Sequence, residues 1–530
     1  MTARVSVATV LAKPARINSQ PELFDWPVPS IPPPKPLVPR QEPDIDYLQL
    51  ILNARVYDVA SETPLHLATK LSTKVKNKIY LKREDMQPIF SFKIRGAYNR
   101  IYNLTHEEKQ TGVICASAGN HAQGVALAAK KLGIKATIVM PKHAPEIKVE
   151  SVRRLGAEVV LHGSDFDEAK KECARLKDEK NLIYIPPFDD PYVIAGQGTI
   201  GVEILRQLQQ DRLDASLIRP DVKIIGVNAA DSDGMYQSLI KGQPVEIPMA
   251  GLFADGTSVR LCGSENFRLC RSFVDDFVLV STDEVCAAIK DTFDDTRSII
   301  EPAGALAVAG VKKFLAQNSN FKDAVFVAVV SGANMNFDRL RFVAERSRLG
   351  DGKEIMLSIK IPERPGSFLD LYHAIDPKPV TEFCYRYSDP DVARVFVALE
   401  TSNAASDAED VLEKIRDKGM DGLDVTNNEM AKTHLRYLAG GRSATVKDEV
   451  LYRFQFPERP GALKRFLYHL EGKWNVSLFH YRNHGADIAR VLAGLQVPAA
   501  ERNDFKAFLE KLGYSFEDET ENPVYNQFMK

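Results

Sequence analysis

From Val113 onward, apolar positions alternate between short β-rich runs and stretches of helical period. Val113–Ser117 predicts a strand and His121–Leu132 a helix. Thr137–Met140 predicts a second strand, followed by a helix over Pro145–Leu155. Glu158–His162 precedes a helix at Asp165–Lys180, and Ile183–Pro186 precedes one at Val193–Gln209. Ala324–Val330 is a further apolar strand. Strands alternating with helices imply right-handed βαβ units, so the expectation is an α/β fold with open parallel sheets and flanking helices. Ligands on such sheets bind at the carboxyl ends of strands.

Past Leu349 the period changes and an internal repeat begins. Pro362-Glu363-Arg364-Pro365-Gly366 recurs as Pro457-Glu458-Arg459-Pro460-Gly461. Phe383-Cys384-Tyr385-Arg386 recurs as Phe479-His480-Tyr481-Arg482, and Ala393-Arg394-Val395 as Ala489-Arg490-Val491. Each half predicts an α+β ferredoxin-like βαββαβ unit. Two copies pairing edge to edge would make effector pockets; a tail that only drives oligomerisation fits the repeat as well. The expected organisation is a folded region over 44–350 and two repeats over 351–440 and 441–530.

Composition changes this little: 44% hydrophobic and 26% charged residues are ordinary for a globular chain and permit large cores. A net charge of −2 argues against nucleic acid or an anionic membrane as main partner. No apolar run is long enough to suggest a membrane-spanning helix. Six cysteines without paired metal-ligand spacing read as reduced core residues, with no metal site. Residues 1–20 carry Arg4, Lys13 and Arg16 and no acid, which fits an organellar transit peptide; an unstructured tail fits nearly as well. Nine prolines between Pro21 and Pro43 mark an extended linker or strap.

Candidate chemistry begins at Lys93, in the otherwise small and apolar stretch Phe90-Ser91-Phe92-Lys93-Ile94-Arg95-Gly96-Ala97-Tyr98-Asn99. Burial biases a lysine amine toward its neutral, nucleophilic form, which makes Schiff bases. A lysine snorkelling to solvent is the commoner reason for such a residue. Ser117-Ala118-Gly119-Asn120-His121 follows a strand and opens a helix. Its small residues suit an anion at a helix N-terminus, or simply a tight turn. Ser331-Gly332-Ala333-Asn334 repeats the arrangement. Glu301-Pro302-Ala303-Gly304-Ala305 opens another helix, where a proline at an early position is reason enough for the run.

Together these four motifs, with the extensions Ala122-Gln123-Gly124 and Met335-Asn336-Phe337-Asp338, resemble biosynthetic threonine dehydratase (threonine ammonia-lyase). The resemblance runs from about Tyr47 to near the C-terminus, and the repeats resemble ACT-like regulatory domains. It implies the tryptophan-synthase-β-like fold of type II pyridoxal-phosphate enzymes. It implies pyridoxal 5′-phosphate in Schiff-base linkage to Lys93, with Asn120 at the ring hydroxyl and Ser331 facing the ring nitrogen. The backbone of Ser117, Ala118 and Gly119 would take the substrate carboxylate. The implied reaction is deamination of L-threonine to 2-oxobutanoate, the first step toward isoleucine; L-serine stays open as a substrate. Isoleucine is the implied inhibitor, with valine opposing it, and a homo-oligomer, a tetramer, the implied assembly. By repeat symmetry Tyr385, Arg386, Tyr481 and Arg482 are candidate effector residues, although inter-domain packing would explain them too. The doubled repeat argues against serine racemase or serine dehydratase. The implied location is mitochondrial, with plastid or cytoplasm as alternatives.

One feature of the family is missing. A glycine-rich loop cradling the cofactor phosphate should follow a strand after the helix ending near Gln209, yet no glycine lies between Gly201 and Gly226. The join at about Ala215/Ser216 skips a strand, the loop and most of a helix, on the order of 20 residues. The expected consequence is a sheet with unpaired neighbouring edges, or one that closes up. Three readings stay open: a segment absent here but present in the working protein, a substitute phosphate site, or a non-catalytic, isoleucine-sensing paralogue.

Overall fold

The computed structural model describes residues 6–11, 45–144, 146–209, 222–362, 367–385, 391–435, 446–457, 465–466, 469–470, 473–482 and 488–529. The Pro-rich segment, the Ala215/Ser216 join, Arg386 and the Pro-Gly turns at 363–366 and 458–461 lie outside these residues. The chain forms two compact units, residues 1–335 and 336–530.

Among the described residues the first unit has ten strands: β1 (Ser6–Leu11), β2 (Leu65–Leu67), β3 (Lys78–Arg83), β4 (Val113–Ala116), β5 (Ala136–Met140), β6 (Glu158–Leu161), β7 (Ile183–Tyr184), β8 (Lys223–Ala229), β9 (Asp276–Val280) and β10 (Val325–Val330). Four helices matter most here: α1 (Lys93–Tyr102), α2 (Asn120–Leu132), α3 (Pro191–Gln209) and α4 (Pro302–Gln317). The alternation expected from Val113 to Gln209 is present, each element within a few residues of its predicted bounds. It builds an all-parallel sheet in the order β6-β5-β4-β7. β4 and β5 are buried along their whole length, as strands covered on both faces must be. One apolar face of α1, with Ile94, Ala97, Tyr98 and Ile101, packs with Ala122, Val125, Ala126 and Ala129 of α2 over Val113, Cys115 and Ile138.

The larger sheet runs β2-β3-β10-β1-β8-β9 and is mixed. β3 is parallel to β10 and β8 to β9, while β2 is antiparallel to β3. The expectation of a gap or a collapsed sheet is corrected here. β1 lies antiparallel between β10 and β8, pairing Ala8 with Ala328 and with Ile225. A vacant slot between two strands offers two rows of unmet N–H and C=O groups, and an extended segment satisfies both.

In the second unit, β11 (Glu354–Pro362), β12 (Val380–Tyr385), β13 (Val392–Glu400) and β14 (Asp421–Asp424) form an antiparallel sheet ordered β12-β13-β11-β14. β15 (Glu449–Pro457), β16 (Asn475–Arg482), β17 (Ile488–Gln496) and β18 (Ser515–Asp518) repeat it as β16-β17-β15-β18. The two-residue period of a strand explains how the halves join. Ile355, Leu357 and Ile359 face their own half's core with Val395 and Val397. Met356, Phe396 and Ala398 instead share a core with Leu451, Leu492, Tyr525 and Phe528 of the other half. The Ser358 hydroxyl donates to the Gln527 amide oxygen across that contact.

Candidate active site

Backbone pairing assembles the site. Phe90 takes φ +54°, and Ser91 bridges Gly332. The Phe92 N–H donates to the Ser331 carbonyl at 3.1 Å, and the Ala333 N–H to the Phe90 carbonyl at 2.9 Å. The segment before α1 is thereby stapled to the turn after β10, which sets the first residue of α1, Lys93, close to Ser331. Lys93 is 5% exposed, and its Nζ donates to the Pro187 carbonyl at 2.7 Å. The solvated alternative for this lysine is excluded.

The turn after β10 is also pinned by α4. The Glu301 N–H donates to the Gly332 carbonyl at 3.1 Å, and a Cβ on Gly304 would stand 2.5 Å from that same oxygen. A Cβ on Gly332 would meet Glu301 Oε1 at 2.5 Å and the Phe90 carbonyl at 3.0 Å. Gly332→Ala is therefore expected to cost about 1–3 kcal/mol, read as a lowered urea midpoint, because the Phe90 backbone has to yield.

Ser117, Ala118 and Gly119 sit at the carboxyl end of β4, with Gly119 the N-cap of α2. A Cβ on Gly119 would meet nothing within 4 Å, so the backbone there faces open space. Asn120, the first helical residue, donates from Nδ2 to Glu301 Oε1 at 2.7 Å. Its Oδ1 accepts from Asn334 Nδ2 at 2.8 Å, and Asn334 also donates to the Ile89 carbonyl at 2.8 Å. His121 is buried, with Nε2 2.8 Å from the Ile185 carbonyl. Lys93, Asn120 and Ser331, distant in sequence, thus meet at the carboxyl ends of β4 and β10.

The sequence reasoning missed Glu301, Asn334 and the Pro187 carbonyl as parts of this cluster. Glu301 left a signal. It is the N-cap of α4, a position that favours Ser, Thr, Asp and Asn, and its side chain makes no capping bond. Its carboxylate holds Asn120 instead. Burial pushes the nearby Cys115 thiol well up, so it is no nucleophile.

Behind Lys93, four charged side chains are fully buried. Arg95, two residues further along α1, makes bidentate contacts with Glu84 (both 2.8 Å) and reaches Glu203 of α3 at 2.6 Å. Lys82 of β3 donates to Glu203 Oε2 at 2.6 Å and to Gln207 at 3.0 Å. Burial alone would raise the Glu203 carboxyl, but hydrogen bonds and charges from Arg95 and Lys82 outweigh it and hold it below the usual range. This lattice ties α1 to β3 and α3.

The candidate effector positions belong to the second unit. Tyr385 ends β12; Tyr481 and Arg482 end β16, the equivalent strand of the second half. Among the described residues no group of acidic, histidine or cysteine side chains could hold a metal ion, and no helix is long and apolar enough to cross a membrane.

Comparison with known proteins gives the following. A profile described as "Pyridoxal-phosphate dependent enzyme" matches in two pieces, residues 56–218 and 213–332. One described as "C-terminal regulatory domain of Threonine dehydratase" matches twice, at 345–435 and 440–529. A mitochondrial threonine dehydratase of Saccharomyces cerevisiae is 48% identical over 92% of this chain and 89% of its own length. A mitochondrial threonine dehydratase of Schizosaccharomyces pombe is 51% identical over 92% of this chain and 84% of its own length. A biosynthetic L-threonine dehydratase of Escherichia coli is 46% identical over 91% and 97%. Among solved structures, the processed form of threonine deaminase isoform 2 from Solanum lycopersicum matches with TM-score 0.54 and 43% identity, covering 60% of this chain and 99% of that one. Maize serine racemase matches with TM-score 0.51 and 30% identity, covering 57% and 96%.

Proposed function

The chain belongs to the threonine dehydratase family of pyridoxal-phosphate-dependent enzymes, and on that premise we propose that it deaminates L-threonine to 2-oxobutanoate and ammonia through β-elimination of water. The observation that carries this is the buried Lys93 amine, held beside the Ser331 turn within the same cluster as Asn120 and the open N-terminus of α2.

Pyridoxal phosphate, when bound, supplies an electron sink for the charge left at the substrate's α-carbon. The residues present suit its ring end. Lys93 would provide the amine, Asn120 a side chain already locked by Glu301 and Asn334, and Ser331 a neutral partner for the ring nitrogen. They do not suit its phosphate end, because no glycine-rich turn lies between Gly201 and Gly226. What the chain's own groups do follows from their placement. The Ser117 N–H donates to the Val139 carbonyl at 3.1 Å and the Gly119 N–H to Ser117 Oγ at 3.3 Å, so the Ala118 N–H and the first N–H groups of α2, with the helix dipole behind them, orient the threonine carboxylate. That leaves the α-proton to Lys93 Nζ, the nearest basic group, which takes it and later returns a proton. Water leaves the β-carbon, and hydrolysis of the product releases ammonia.

The finer assignments are feedback inhibition by isoleucine through the 336–530 unit, opposition by valine, Tyr385, Arg386, Tyr481 and Arg482 as effector residues, L-serine as a second substrate, a homotetramer, and a mitochondrial location. Relatives bearing mitochondrial names support the location. The test is direct: the purified chain, saturated with pyridoxal phosphate, is expected to release 2-oxobutanoate from threonine. A cofactor-loaded chain that leaves threonine intact would exclude the proposal. The missing phosphate cradle favours one second reading, a non-catalytic isoleucine sensor that partners a full enzyme. It requires isoleucine binding without turnover, measurable by calorimetry.

A further inference from the structure

Two strands of the larger sheet, β8 and β10, run in the same direction, and one strand-wide slot separates them. At its carboxyl edge stand Ser331, just past β10, and Asn228 and Ala229 at the end of β8. A parallel strand in this slot would end at that edge and turn into a helix, offering N–H groups and a helix dipole to an anion. The strand found there is β1, and it runs the other way. It brings its amino end, Ser6, toward that edge, opposite Val227. Among the described residues no strand-to-helix turn is formed at this position.

Two further observations point to the same place. The match to the pyridoxal-phosphate enzyme profile breaks at residues 213–218, between α3 and β8, where a parallel strand for the slot would have to come from. Among the described residues, two buried polar atoms at the carboxyl end of β8 have no partner: Asn228 Oδ1, on the penultimate residue of β8, and Ser232 Oγ, just beyond it. Both residues are 3% exposed. Buried polar groups are normally satisfied, so two orphans at one strand end mark a missing neighbour.

We infer that this chain grips pyridoxal phosphate by its ring alone: the β8–β10 slot, filled by residues 6–11 running backwards, leaves the phosphate without a cradle, so the cofactor binds no better than pyridoxal, its dephosphorylated form. The inference rests on the proposed role of Lys93, Asn120 and Ser331 at the ring, and it concerns the full chain, with residues 1–20 retained.

The experiment titrates the full chain with pyridoxal 5′-phosphate and, separately, with pyridoxal, following visible absorbance that is lost in Lys93→Ala. The expected dissociation constants agree within about threefold. A phosphate site with even two charge-assisted hydrogen bonds would favour the phosphorylated form by about 100-fold or more. A preference of that size overturns the inference while leaving the ring site intact. Absence of a Lys93-dependent signal from either aldehyde overturns both. A second chain carries, inserted between Ala215 and Ser216, a designed strand, glycine-rich turn and helix of about 20 residues. Its affinity for the phosphorylated form is expected to rise about 100-fold, with pyridoxal unchanged. Pyridoxal binding retained with no such rise would overturn the slot as the phosphate position. A variant that fails to fold is recognised by loss of the pyridoxal signal, and the comparison within the unaltered chain stands on its own.

Discussion

Lys93→Ala lowers threonine turnover at saturating cofactor by about 1,000-fold or more. A positioned general base contributes roughly 100- to 10,000-fold, and here one amine serves as both nucleophile and base. Among the described residues the cluster's other side chains are poorer bases: Asn120, Ser331 and Asn334 are neutral, Glu301 is engaged with Asn120, and the buried His121 holds the Ile185 carbonyl through Nε2. Lys93→Arg separates chemistry from charge. It keeps a cation at the start of α1 but cannot present a neutral amine, so it loses as much activity as alanine. A small primary amine added to Lys93→Ala recovers part of the rate. The measurement is 2-oxobutanoate release, with kcat and KM resolved. Turnover in Lys93→Arg close to that of the unaltered chain would rule out the amine as the working group.

The second large effect concerns the scaffold behind that lysine. Arg95→Met is expected to destabilise the first unit by about 3–5 kcal/mol, because it leaves Glu84 and Glu203 buried with part of their partners gone. Glu203→Gln is expected to cost a similar amount, through Lys82 and Arg95. Replacing Arg95 and Glu203 together by apolar residues costs less than the two single changes summed, and that coupling is the signature of a network. The network also sets a pH dependence. The Glu203 carboxyl is held below its unfolded value, so its stabilising contribution is complete above the ordinary glutamate range. It is lost as pH falls through that range toward the folded value. Urea unfolding of the unaltered chain should show a steeper loss of stability between about pH 5 and pH 3 than Glu203→Gln does. Identical pH profiles for the two proteins would remove Glu203 from this role.

How much of this was legible beforehand differs from residue to residue. The alternation from Val113 to Gln209 predicted four βα units, and the structure has them, because the central strands β4 and β5 are buried along their length and the edge strands and helices pack around them. The repeat was legible because its motifs recur, and the two four-stranded sheets have equivalent strand orders. Lys93 alone was ambiguous, since a snorkelling lysine is the commoner case, and it stood out only through the four motifs taken together. Glu301 was passed over because a proline at the first helical position explained its motif without a ligand. Its atypical N-cap was the available clue.

What sequence alone determined is local: the periods of burial, the turn residues, and the chemical types placed at strand ends. Those depend on near neighbours along the chain. The break in the family pattern was local too, visible as a run without glycine and matched by the break in the profile near residue 215. Tertiary structure decided what no spacing encodes. It stapled Phe90–Phe92 to Ser331–Ala333, closed Asn120 between Glu301 and Asn334, and sealed four charges beneath α1. It also filled the β8–β10 slot with residues 6–11, from the far end of the chain and in the opposite direction. Backbone hydrogen bonding accepts either direction of strand, so the sheet is completed all the same. A strand-to-helix anion site accepts only the direction that ends in a helix N-terminus, and that is why β1 completes the sheet without forming such a turn among the described residues.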